Sequence, residues 1–387
     1  MKPLAADPRL AWDIFCRVVD NFGDIGVGWR LARGFARDHQ LAVRLWVDDW
    51  NAFSRLCPQA LAAPGRIGID GVDIRQWRDP FPEVVPAENV IEAFGCELPQ
   101  SYLLAMAACE PKPKWINLEY LSAEPWVGGC HRLSSPHPRL PLLKHFFFPG
   151  FVPGTGGLLR EPGLLAARDR FQADAVERAA FLGALGVDRV PPGARVVSLF
   201  GYENPGLGAW LDACADGDAP MLLLVPEGRI VAGLTHHFGR SEAPVGSRFA
   251  RGALEARILP FVDQDAYDRL LWACDLNFVR GEDSFVRAQW AARPFVWHIY
   301  RQDGDAHRVK LDAFLDLHVE GLDEHPASAL QGFWHAWNGW GDMASKWKLF
   351  AAVLPQLLGH ERRWSDTLAQ AQDLTTALVQ FSRDRVQ

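Results

Sequence analysis

The stretch Trp12-Asp-Ile-Phe-Cys-Arg-Val-Val-Asp-Asn-Phe-Gly-Asp-Ile-Gly-Val-Gly-Trp29, continued through Val47, decides the fold. Its first eight residues, Trp12 to Val19, are an apolar, β-branched run of strand length. A turn carrying Gly23, Gly26 and Gly28 follows, and Trp29 to Asp38 then repeats apolar side chains at helical spacing. Leu41 to Val47 is apolar again. Strand, turn, helix and strand make a βαβ unit, which calls for a parallel sheet covered by helices.

The same rhythm extends outward. Val90 to Phe94 and Lys114 to Leu118 are further strand candidates, and the segment from Gly150 to Gly163 is rich in Gly and Pro, as a hinge would be. Leu164 to Leu185 is helical in pattern until Pro191-Pro-Gly193 ends it. A second alternation then begins. Arg195 to Phe200, Met221 to Val225, Ala256 to Val262, Asp275 to Val279 and Pro294 to Trp297 are short buried-strand candidates, separated by helical runs such as Asp265 to Ala273 and Ser284 to Ala291. From Ala306 the pattern is helical, with Gly359 punctuating before a final helix near Trp364 to Phe381. These features predict two Rossmann-like α/β domains facing across a cleft, with ligand at the carboxyl ends of the strands.

Composition sets the class. The chain has 387 residues, enough for two domains. Hydrophobic residues make up 49% and charged residues 22%, the balance of a folded globular protein. The net charge of −7 disfavours a nucleic-acid partner and suits a basic acceptor. Seven scattered cysteines show no C-x-x-C pair and no zinc spacing, so buried, reduced thiols and no metal are expected. Met1 to Asp13 lacks the apolar core of a signal peptide, and no window reaches a membrane span; a cytoplasmic location with no membrane partner is the expectation. Sixteen Trp and 23 Phe exceed what two cores need, so some should line a cleft and stack on a flat ligand.

Two constellations carry the chemistry. The first is Asp20-Asn-Phe-Gly-Asp-Ile-Gly-Val-Gly28, where Asp20 and Asp24 sit in a glycine-bearing turn before a helix. They can accept protons or hold a cation; equally, Asp24 can cap the helix and Asp20 can close a turn. A dinucleotide fingerprint, with Gly26-Val-Gly28 and Asp48 some 20 residues on, fits poorly because Leu31 replaces the third glycine. The second is Phe261-Val-Asp-Gln-Asp-Ala-Tyr267 with Arg280-Gly-Glu-Asp-Ser284, each following a strand and opening a helix. Arg280 offers a fork to a diphosphate, Ser284 and a helix N-terminus can donate to it, and Phe261 with Tyr267 can hold a base; the bland alternative is a capping group of Glu282, Asp283 and Ser284. Phe200-Gly-Tyr202 adds aromatics at the same edge. His236-His237 suggests a metal pair, but adjacent side chains diverge.

Val18 to Val27, Trp115-Ile-Asn-Leu-Glu-Tyr-Leu-Ser-Ala-Glu-Pro-Trp126, Phe146-Phe-Phe-Pro-Gly-Phe151 and Arg280-Gly-Glu-Asp-Ser-Phe-Val-Arg-Ala-Gln289, in this order, resemble the EarP family of bacterial protein-arginine rhamnosyltransferases. The resemblance implies a GT-B fold: an acceptor-side domain over 1–188, a nucleotide-sugar domain over 189–360, and a C-terminal helix, 361–387, packing back on the first. It implies inverting transfer of L-rhamnose from dTDP-β-L-rhamnose, as co-substrate with no cofactor or metal, to a guanidinium nitrogen of an arginine on elongation factor P. On this basis Asp20 is the general base, Asp24 and Glu282 complete the catalytic set, and Phe200, Tyr202, Phe261, Gln264, Arg280, Asp283 and Ser284 contact the donor. Tyr267 stands where relatives can carry Phe. The rivals are another GT-B enzyme with a different donor or acceptor, and a non-catalytic module whose aromatic cleft holds a peptide.

Overall fold

A computed structural model of the protein describes residues 12–18 and 22–384. By contact the chain divides into two compact units, residues 1–162 with 371–387, and residues 163–370.

Unit 1 is built on an eight-stranded sheet: β1 (Trp12–Cys16), β2 (Val43–Val47), β3 (Arg66–Ile69), β4 (Val72–Gln76), β5 (Asn89–Ala93), β6 (Lys114–Leu118), β7 (Ser134–Pro136) and β8 (Leu143–Phe147). The strand order is β3-β4-β2-β1-β5-β6-β8-β7. Only β3 and β7 pair antiparallel, at the two edges. β1 pairs with β2 on one side and β5 on the other, so the strand order reverses there. A crevice at the carboxyl end of such a strand is where doubly wound folds bind ligands. The helix Gly23–Arg37 begins at that end and packs its apolar face on the sheet.

The inner strands read as apolar runs because both faces are buried, yet each of the first two carries one charge. Register places Asp13 of β1 beside Arg44 of β2. Arg44 Nε and Nη2 donate to the two Asp13 oxygens at 2.6 Å each, the Ala87 N–H donates at 3.1 Å, and the Tyr102 hydroxyl adds another bond. Asp13 is fully buried. Removing it strands Arg44 in the interior, so Asp13→Ala is expected to cost about 3–5 kcal/mol. Urea unfolding followed by circular dichroism checks this; an unchanged midpoint would contradict it.

Unit 2 holds a six-stranded sheet: β9 (Arg195–Leu199), β10 (Met221–Pro226), β11 (Arg248–Arg251), β12 (Leu254–Leu259), β13 (Leu276–Arg280) and β14 (Phe295–His298). The order is β11-β12-β10-β9-β13-β14, parallel except for β11. β9 lies between β10 and β13 and makes the switch point of this half. The sequence anticipated the five parallel strands of this sheet to within three residues at either end. β3, β7 and β11, each paired antiparallel at a sheet edge, are short, partly exposed strands whose alternation is too brief to read.

Three expectations shift. The helical run from Leu164 is two helices, Leu164–Ala173 and Ala175–Ala184, because the Asp174 side chain accepts the N–H groups of Val176 and Glu177 and starts a new helix. Gly359 lies inside a 26-residue helix, Met343–Leu368; the break falls before Leu374–Arg383, which Asp373 caps through Thr376 N–H. The first contact boundary falls at 162/163, where the sequence reading drew 188/189. The reason is visible in unit 2: Gln172 Nε2 donates to the Ala291 carbonyl at 2.9 Å, and Arg178 Nε to the Ala273 carbonyl at 2.7 Å. The helix Leu374–Arg383 docks in unit 1. Lys114 Nζ bonds the carbonyls of Phe381 and Asp384 at 2.7 Å each, and Leu374 N–H bonds Leu158 O at 3.0 Å. Gly157, at φ +72°, lets the chain pass there, since a Cβ would collide with the Gln372 carbonyl oxygen.

Candidate functional site

In unit 2, the carboxyl ends of β9, β12 and β13 gather the second constellation. The helix Gln264–Ala273 opens after β12 with Asp263 as cap, its side chain accepting from Ala266 N–H. The helix Asp283–Ala291 opens directly after β13. Gln264 Nε2 donates to Asp283 Oδ2 at 3.2 Å, joining the two helix N-termini. Two N-termini and one arginine face the same edge, and such an edge attracts an anion.

Arg280 ends β13 with its side chain almost wholly buried. Its guanidinium carbon lies 4.6 Å from the Phe200 ring centroid and 4.7 Å from that of Tyr202. Stacking on both rings holds the fork in a fixed plane, which suits bidentate recognition of a phosphate. Phe200 meets Tyr267 edge-on at 5.6 Å. The Tyr267 ring is partly exposed while its hydroxyl is enclosed, and burial holds that phenol above its usual range. Phe261 is half-buried and anchored by its N–H to Glu227 at 3.1 Å.

Glu282 occupies the N-cap position of its helix, with no side-chain cap bond. The Ser284 hydroxyl donates to the Arg280 carbonyl and accepts the Arg280 N–H at 3.1 Å, so Ser284 fixes the backbone of Arg280. One residue that the sequence did not flag supports the aromatic wall. His298, at the end of β14, is buried and accepts the Tyr202 N–H on Nδ1 at 3.3 Å. Burial, with Arg301 and Arg280 adding, pushes His298 down to about 3, so it stays a neutral acceptor at ordinary pH. No sequence pattern marks it; only the pairing of β13 with β14 brings it there.

In unit 1, Asp24 lies in the first turn of the helix Gly23–Arg37 and is 3% exposed. It is not the cap; Phe22 holds that position. Its Oδ1 accepts the Tyr120 hydroxyl at 3.2 Å. Tyr120 follows β6, and its ring stacks on Phe94, which follows β5, with centroids 4.5 Å apart. Tyr120 stood in the quoted Trp115–Trp126 motif without a role, and its bond to Asp24 supplies one. Asp20, the expected base, lies outside the described residues. Asp48 donates nothing to a dinucleotide reading: its Oδ1 accepts the N–H groups of Val18 at 2.9 Å and Asp49 at 2.7 Å.

His236 and His237 close the helix Ile230–His237, with His237 Nε2 3.4 Å from Asp212. Among the described residues no cluster of three metal-ligating side chains forms, and no helix is long and apolar enough to cross a membrane.

Comparison with known proteins agrees with this geometry. The profile of the family described as elongation factor P (EF-P) rhamnosyltransferase EarP matches residues 12–383. The protein-arginine rhamnosyltransferase of Pseudomonas putida is 56% identical over 376 residues, covering 97% of this chain and 99% of the relative. That of Pseudomonas aeruginosa is 51% identical over 374 residues, with 97% and 99% covered. A solved structure described as the structural basis for EarP-mediated arginine glycosylation of translation elongation factor EF-P superposes with a TM-score of 0.70 at 44% identity, covering 96% of this chain and 98% of that one. The spinosyn rhamnosyltransferase SpnG, at 10% identity and a TM-score of 0.51, covering 96% of this chain and 100% of that one, shares the fold alone.

Proposed function

The chain belongs to the EarP family and is a glycosyltransferase of the GT-B type, and from that premise we propose that it transfers L-rhamnose from dTDP-β-L-rhamnose to a guanidinium nitrogen of one arginine on elongation factor P, with inversion and without a metal. Family membership sets aside the non-catalytic binding module. The observation that carries the donor reading is Arg280, held between Phe200 and Tyr202 at the edge where two helices begin.

The chemistry assigns work to both constellations. A guanidinium is protonated below pH 12, and its delocalised charge makes it a poor nucleophile. Asp24, buried in the first turn of its helix, grips the cation and localises its charge. Asp20, four residues earlier, takes the proton as the nitrogen attacks the anomeric carbon. The C–O bond to the dTDP leaving group breaks as the C–N bond forms, on the opposite face, so the β-linked donor gives an α-linked product. Arg280 and the two helix N-termini stabilise the departing diphosphate. Glu282, beside them, belongs to the catalytic set by its place in the motif.

Titration calorimetry with dTDP, UDP and GDP tests the donor. Clear preference for dTDP is expected; preference for UDP or GDP would assign the chain another nucleotide sugar. Phe261→Ala removes one face of the base site and is expected to weaken dTDP binding by about 1–3 kcal/mol; unaltered affinity would take Phe261 out of the donor contacts.

A further inference from the structure

We infer that Tyr120, backed by Phe94, is a positioning residue that fixes the Asp24 carboxylate for the acceptor guanidinium. The inference rests on the reading of Asp24 given above and adds two side chains to it.

Three observations converge. The Tyr120 hydroxyl donates to Asp24 Oδ1 at 3.2 Å, across 96 residues of sequence. The Tyr120 ring lies flat on Phe94, at an interplanar angle of 18°. Phe94 itself adopts φ +57°, followed by Gly95 at φ +63°, and its N–H bonds the Leu118 carbonyl at 2.7 Å. A left-handed backbone is unfavourable for an aromatic residue and persists where the surroundings enforce it, commonly beside functional groups. Here the bend at the end of β5 carries the Phe94 ring onto the loop after β6, next to the helix that bears Asp24.

The arrangement matters because a carboxylate has two oxygens and a free rotor. A donor on Oδ1 selects one rotamer and leaves Oδ2 with its lone pairs directed consistently, and preorganised geometry of this kind lowers the barrier to reaction. Tyr120 remains a neutral donor while it makes this bond. Among the described residues the Cys16 thiol also interacts with Asp24: burial and then Asp24 hold it well above its usual value, with Cys96 and Asp48 adding.

Tyr120→Phe tests the inference, since it keeps the stacked ring and deletes only the hydroxyl. Wild type and variant are compared for rhamnose transfer to elongation factor P, dTDP affinity, melting temperature and the pH profile of kcat/KM. Loss of a hydrogen bond to a charged group predicts a fall in kcat of about ten-fold or more, with dTDP affinity unchanged and melting temperature lowered by only a few degrees. The acid limb of the profile should move to higher pH, because a bond to the ionised form had favoured it. Phe94→Leu, which removes the flat backing, should give a smaller loss of the same kind. Wild-type turnover and an unmoved acid limb in Tyr120→Phe overturn the inference, as does a loss traceable to melting temperature or donor affinity alone. If wild-type protein itself transfers no sugar, the functional reading fails instead.

Discussion

Replacement of Asp24 by asparagine is expected to lower kcat for arginine rhamnosylation by about 10²–10⁴-fold, the range for losing a charged group that acts on the transferred proton or its cation. Asparagine preserves size and can still accept the Tyr120 hydroxyl, so the helix Gly23–Arg37 should keep its place. The proposed nucleotide contacts lie in unit 2, and dTDP affinity should therefore stay at the wild-type value. Asp20→Asn should behave likewise. Single-turnover assays together with calorimetry separate the two quantities. Normal turnover in either variant would remove that carboxylate from the mechanism, and a parallel loss of dTDP binding would show that the change had spread beyond the acceptor side.

Arg280→Met is expected to act on the other substrate. Methionine retains an unbranched apolar stem between Phe200 and Tyr202 but offers the diphosphate no charge. The departing group then loses a fixed cation, which predicts a fall in kcat of about 10²–10³-fold. Truncating one partner of a buried charged contact also predicts weaker dTDP binding by about 2–5 kcal/mol. Unchanged dTDP binding, measured by calorimetry, would place the diphosphate elsewhere in unit 2.

Much of this was legible from the chain itself. Four of the six parallel strands of the first sheet and all five of the second announce themselves because burial on two faces demands apolar runs such as Met221 to Val225. The two helix starts of the second constellation were legible as well, since strand ends followed by Asp263 and by Glu282-Asp283-Ser284 mark them at the carboxyl edge of the sheet. What escaped depends on register and on backbone bends. Asp13 and Arg44 look like isolated charges in apolar strands until pairing sets them side by side. Tyr120 and Phe94 lie 26 residues apart and meet because β5 and β6 pair in parallel and Phe94 turns left-handed. His298 is one ordinary histidine until β14 places it behind Tyr202. The capping role open to Ser284 gave way to another: its hydroxyl bonds the Arg280 backbone, a bond with no sequence signature.

Incubation of purified elongation factor P with this protein and dTDP-β-L-rhamnose, followed by peptide mass spectrometry, tests the central claim most directly. One added deoxyhexose on a single arginine is expected, absent when Asp24→Asn replaces the wild type. Unmodified elongation factor P, from protein shown by calorimetry to bind dTDP, would contradict it.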